Sequence, residues 1–222
     1  MAQLTIDVVS DLVCPWCYIG TRRLDQVLKS MPEATPALVR YRPFLLASSV
    51  PPEGADLRQW LRRKYGADPE SMFARVEAQA RTTGIPLDFS RVQRYPSTLA
   101  AHTLLCHALE KGTQRALADA LFTAYFIESK DIGDSATLAQ IARDHGFSEE
   151  DTLRLVSDAK ELEATRAEAT ALSQQGISGV PFFIFNEQLA FSGAQPPDVF
   201  RGAIEEALPR FDPKNKKASS VT

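Results

Sequence analysis

Cys14 and Cys17 stand three apart in the stretch Asp11-Leu-Val-Cys-Pro-Trp-Cys-Tyr18, and a pair of thiols at that spacing can exchange with a disulfide. The thiolate is the nucleophile, and a free cysteine, with a pKa of about 8.5, is mostly protonated at neutral pH. A helix beginning at Cys14 favours a negative sulfur, because its first-turn amides lack partners and the positive end of its dipole lies close. Pro15 suits the first helical position, where its missing N–H is no loss. One turn on, Cys17 returns beneath Cys14 and joins an apolar stripe. The spacing therefore predicts an exposed Cys14 that attacks and a shielded Cys17 that resolves the mixed disulfide. Trp16 places no positive charge between the thiols, which predicts a couple less oxidising than the strongest of this chemistry, at about −120 mV.

Val180-Pro181 follows Gly176-Ile-Ser-Gly179 and opens an apolar run. A proline there cannot donate to a sheet ladder and suits a loop that meets a partner chain. If the peptide bond is cis, the Val180 backbone is free to pair with a substrate strand near Cys14. His102 and Cys106 are four apart on a predicted helix, so with Cys14 and Cys17 they make a conceivable Cys-Cys-His-Cys zinc set and a zinc-stabilised binding module. Pro15 at a helix start favours the redox alternative, with no metal. Cys106 reads as a small buried core residue and His102 as a packed or surface side chain. Asp7 reads as a solvated strand residue and Asp11 as the start of the loop before the helix.

These residues need elements to position them. Leu4, Ile6 and Val8 alternate as in a strand; the stripe Cys17, Gly20, Leu24, Val27, Leu28 and Met31 is one helical face, stopped by Pro32. Leu38 to Phe44 alternates again, completing β-α-β. From Asp56 to about Gln175 the spacing predicts successive helices punctuated by Gly or Pro, with no strand among them. Phe182 to Phe185, the turn Asn186-Glu187, and Leu189 to Phe191 read as a hairpin. A last helix opens at Pro196-Pro197 and closes at Pro209.

With 44% hydrophobic and 24% charged residues the chain is of ordinary folded composition, and a formal charge of −3 with one short basic run, Lys214-Asn-Lys-Lys217, argues against nucleic acid. No apolar run approaches the roughly 20 residues that span a bilayer, so no membrane partner is expected. The first ten residues lack the marks of a secretory signal, and three cysteines make no disulfide framework. The expected location is cytoplasmic.

The order of these parts resembles the DsbA family of the thioredoxin superfamily, specifically its FrnE-like branch, over about residues 3–209. The residues that carry the likeness are Cys14-Pro-Trp-Cys17 after a first strand, the helical block, and Ser178-Gly-Val-Pro-Phe182 before a hairpin. The resemblance implies an α/β thioredoxin-like fold with a large all-helical insertion. Residues 1–50 and 176–210, with the helix ending near 175, form the thioredoxin-like part; 51–175 the insertion; 211–222 a disordered tail. It implies Cys14 as nucleophile, Cys17 as resolving thiol and Pro181 as a cis-proline. Val180, Pro181, Pro15 and Trp16 then border the substrate, and the segment from Tyr95 to Leu104 lies close to the site. Some relatives carry a second cysteine pair toward the C-terminus; here no cysteine follows Cys106.

The activity implied is that of a protein-disulfide oxidoreductase, reductase or isomerase, with no cofactor beyond the redox-active disulfide and with glutathione as a conceivable reductant. Partners would be protein or small-molecule thiols and disulfides, and the sequence is compatible with a homodimer. One rival resembles the kappa-class glutathione transferases and hydroxychromene-carboxylate isomerases. Those typically carry Ser at the nucleophile position, and the pairing of Cys14 with Cys17 weighs toward dithiol work.

Overall fold

The computed structural model describes residues 4–32 and 37–208. Pro209, the basic run and the predicted tail lie outside the described residues. Strand β1, Leu4–Ser10, pairs in parallel with β2, Ala37–Pro43, with Ile6 opposite Val39 and Val8 opposite Tyr41. The hairpin β5, Phe182–Phe185, and β6, Leu189–Ser192, closes a mixed sheet of order β2-β1-β5-β6, with β5 antiparallel to β1. Asn186 and Glu187 both take positive φ, 49° and 59°, the geometry of a two-residue turn that follows strand twist. The Asn186 side chain accepts from Thr5 N–H and donates to the Ala207 carbonyl, tying the turn to β1 and to the last helix, α9, Pro197–Ala207.

Helix α1, Pro15–Ser30, packs against one face of the sheet beside α9. Leu172 of α8, Ala159–Gln174, covers Val9, Phe44 and Ile177 on the other. Strand β1 is thus buried on both faces, Leu4, Ile6 and Val8 on one and Val9 on the other. Asp7 is the charged residue of this strand. It is buried rather than solvated, because Arg40, its cross-strand partner, binds both carboxylate oxygens at 2.5 and 3.0 Å and Arg42 approaches to 3.7 Å. Strand alternation put Arg40 and Arg42 on one face; which acid they meet depends on register.

The inserted block comprises α2, Leu57–Tyr65; α3, Glu70–Arg81; α4, Leu99–Glu110; α5, Gln114–Phe126; α6, Ser135–Arg143; and α7, Glu149–Ser157, leading into α8. Side-chain caps start several of them: Asp56 accepts from Gln59 N–H, Asp134 from Thr137, Ser148 from Asp151, and Asp158 from Lys160. The block also contains a correction to the strand-free expectation. β3, Ala55–Asp56, pairs antiparallel with β4, Arg94–Tyr95. Two residues per strand are too few for alternation to register. Tyr18 of α1 stacks on Phe122 and Phe126 of α5, with ring centroids 5.2 and 5.9 Å away. That stack fixes the block against the helix bearing the dithiol.

Candidate active site

Cys14 is the N-cap of α1, with extended backbone and Pro15 at the first helical position. Its N–H donates to the Asp11 carbonyl at 3.0 Å, and its own carbonyl receives the Cys17 and Tyr18 amides. Both thiols are free. Cys17 is wholly enclosed, and its thiol is pushed well up, first by burial and then by the hydrogen bond and charge of Cys14, against a hydrogen bond to the Asp11 backbone that lowers it and with a smaller rise from the Asp11 carboxylate charge. The predicted asymmetry is present, but its outer member is less open than expected. Cys14 is only 5% exposed. It lines a hollow of about 270 Å³ together with Trp16, Leu57, Phe73, Val76 and Tyr95. A helix start exposes a side chain only if nothing packs over it, and here the inserted block does.

Opposite Cys14 stands the loop before β5. The Val180–Pro181 peptide bond is cis, and the Val180 carbonyl oxygen is 3.7 Å from Cys14 Sγ. Gly20 allows this approach. A Cβ there would come within 3.1 Å of the Phe183 ring and 3.2 Å of Pro181 Cγ, so a larger residue would push α1 away from the loop. The far side of the loop is held too: Gly193 N–H donates to the Pro181 carbonyl at 2.7 Å, and buried Arg23 donates to the Ala194 carbonyl and to Gln79. Cys14, Cys17, Val180, Pro181, Pro15 and Trp16 are therefore brought together.

Cys106 is not among them. It is half-buried on α4 against Glu168, 3.9 Å away, rather than a core residue. Burial, and next the Glu168 charge, push its thiol up to about 11. The conceivable zinc set is not gathered; among the described residues no three His, Cys, Asp or Glu side chains are arranged to hold a metal ion.

The sequence underestimated Asp11 and left His102 open. Asp11, expected merely to begin the loop, is buried beneath the dithiol. Its Oδ2 accepts from Leu46 N–H at 2.7 Å, and its Oδ1 faces Nε2 of equally buried His102 at 3.5 Å. Neither of the facing atoms has a hydrogen-bond partner among the described residues. The expected closeness of the Tyr95–Leu104 segment holds: Tyr95 lines the hollow and His102 lies beside Asp11. Burial, and then the Asp11 charge, hold the Tyr95 and Tyr125 phenols above their ordinary range. A polar loop residue before a helix gives no local sign that a histidine from another segment will bury it.

This geometry has counterparts in known proteins. The chain is similar to a probable DsbA oxidoreductase from Streptomyces coelicolor, at 30% identity with a TM-score of 0.83, covering 92% of this chain and 90% of that one. The fold is also that of the cytosolic disulfide reductase DsbM from Pseudomonas aeruginosa, solved with GSH, at 19% identity and a TM-score of 0.64 over 91% and 98% of the two chains. Among curated proteins it is 25% identical to the uncharacterized protein YwbO of Bacillus subtilis (strain 168) over 206 residues, 90% of this chain and 96% of that protein. The model of the DSBA-like thioredoxin domain matches residues 5–205. With that match spanning the sheet, the inserted helices and the dithiol alike, the chain belongs to the DsbA-like thioredoxin family.

Proposed function

We propose that this protein is a thiol-disulfide oxidoreductase of the FrnE-like kind, working through Cys14 and Cys17 by way of a mixed disulfide. One observation carries the reading: a helix-start thiol with a second, buried thiol one turn below it, facing the Val180 carbonyl at 3.7 Å. In the reductive direction the Cys14 thiolate attacks a substrate disulfide, forms Cys14–S–S–R and releases the other half as a thiolate, which takes up a proton. Cys17 then loses its proton and attacks the Cys14 sulfur, and the second substrate thiol leaves. Two electrons pass from the dithiol to the substrate. Pro15, Trp16, Val180 and Pro181 border the reacting sulfur and orient what reaches it.

In the cytoplasm, the compartment we assign, a glutathione poise of about −220 to −320 mV keeps a moderately oxidising pair reduced. Reduction or isomerisation is then the direction of work, with glutathione as the reductant. The likeness to a disulfide reductase solved with GSH supports that assignment. Two thiols, where an isomerase of the kappa type needs one nucleophile, favour dithiol exchange over that alternative.

The test is a pair of variants. Cys14→Ser is expected to abolish disulfide exchange, and Cys17→Ser to accumulate mixed disulfides that mass spectrometry reads directly. Full activity in Cys14→Ser would show the mechanism to be wrong.

A further inference from the structure

Resting on the oxidoreductase reading, we infer that the substrate is a small disulfide combining a ring-sized apolar body with a carboxylate, the body filling the hollow at Cys14 and the carboxylate meeting Lys64. The first observation is access. Cys14 is 5% exposed, and the hollow that it lines holds about 270 Å³. A disulfide inside a folded protein carries two backbones whose Cα atoms are about 4.4–6.8 Å apart, too bulky to enter. A cavity of about 150 Å³ takes a benzene ring, so this one has room for a substituted ring and a short link to sulfur. Its walls suit that body: Leu57, Leu61, Phe73, Val76 and Phe89 are apolar and come from the inserted block.

The second observation is charge. Lys64 lies at the boundary between this hollow and an adjoining open cleft of about 280 Å³ that also contains Trp60 and Arg63. Its ammonium reaches across to donate to the Leu46 carbonyl at 2.9 Å. Neither the hollow nor the cleft is lined by an acidic residue. Along α2, Arg58 pairs with Glu70 and Arg62 with Asp68, whereas Lys64 and Arg63 have no carboxylate partner among the described residues. A cationic side chain shared by an apolar hollow and its adjoining cleft, with Arg63 beside it in the cleft, selects an anion at the outer end of an apolar molecule, in a chain of net charge −3. An anchored carboxylate and a filled hollow hold the substrate disulfide against Cys14, whose thiolate attacks one sulfur and releases the other half as a thiolate; Cys17 then attacks the Cys14 sulfur and releases the second thiol.

The test uses the full chain, reduced and freed of reductant, and follows single-turnover thiol release from bis(4-carboxybenzyl) disulfide, dibenzyl disulfide, 3,3'-dithiodipropionate and insulin. Each rate is divided by that of the same probe with dithiothreitol, which removes differences in leaving group. The expected result is a normalised rate for the carboxybenzyl probe about ten-fold above dithiodipropionate, which lacks the ring. It should be about five-fold above dibenzyl disulfide, which lacks the charge, with insulin slowest. Lys64→Glu, an exposed change, should erase or invert the carboxybenzyl-to-dibenzyl ratio; Val76→Phe should erase the advantage of the ring. Equal normalised rates for all four probes, or a ratio untouched by Lys64→Glu, overturns the substrate class while the dithiol chemistry stands. If no probe oxidises the Cys14–Cys17 pair, the oxidoreductase reading itself falls, and the substrate class with it.

Discussion

Two acid–thiol clusters flank β1, and they are built to opposite ends. On the β2 side Asp7 is clamped by Arg40 and approached by Arg42, and Arg42 in turn pairs with Glu168, the acid beside Cys106. Each acid there meets at least one guanidinium. On the α1 side Asp11 has a backbone amide for one oxygen, while the other faces His102 with no hydrogen bond to either. Both clusters keep a thiol protonated, Cys106 in the first and Cys17 in the second. Only the second sets a helix-start sulfur next to that thiol. Saturated charge makes a structural strut; the second cluster instead leaves a buried acid oxygen and a histidine nitrogen short of partners beside the dithiol.

That contrast can be broken by substitution, starting with the strut. Asp7→Ala strands Arg40 in a half-buried position and is expected to cost about 2 kcal/mol of unfolding free energy in denaturant titration. Disulfide exchange by the folded fraction should be unaltered; a loss of exchange at unchanged stability would erase the distinction. Asp11→Asn should act the other way, with a smaller stability loss of about 1 kcal/mol. The Asp11 backbone hydrogen bond lowers the Cys17 thiol and is kept in the variant, whereas the Asp11 carboxylate charge raises it, so removing that charge favours the Cys17 thiolate. In a Cys14→Ser background, alkylation of Cys17 should then set in at lower pH once Asp11→Asn is added than while Asp11 is kept.

The smallest effect belongs to Cys106. Its thiol is held at about 11 against an ordinary value of 9.0, so between those values the folded chain keeps a proton that the unfolded chain gives up. Stability from this group is present below about pH 9 and is lost as pH rises toward 11. Cys106→Ala should flatten that part of the stability–pH curve. Glu168→Gln should speed alkylation of Cys106 at pH 9 and leave exchange at Cys14 alone.

Much of the fold could be read from local pattern. The alternation of Leu4, Ile6 and Val8, the helical stripe from Cys17 to Val27, and Asn186-Glu187 between aromatic runs each depend on neighbours a few residues away. Such local preferences survived in the three-dimensional arrangement. Pro15 after Cys14 located the start of α1 for the same reason. The two-residue ladder of β3 with β4 escaped because its only justification is a partner nearly forty positions distant.

What the sequence determined alone was chemistry at short range: two thiols one helical turn apart, the outer at a helix start and the inner on the apolar stripe, with a Val-Pro step ahead of a hairpin. Tertiary structure decided how that chemistry is reached and what lies beneath it. Cys14 is shielded because α2 and α3 fold over it, Asp11 is buried because α4 brings His102 against it, and Lys64 borders the hollow because α2 ends there. Those relations join segments tens of residues apart, and local propensity carries no term for them; they arise only when the inserted block closes on the sheet and excludes water from the space between.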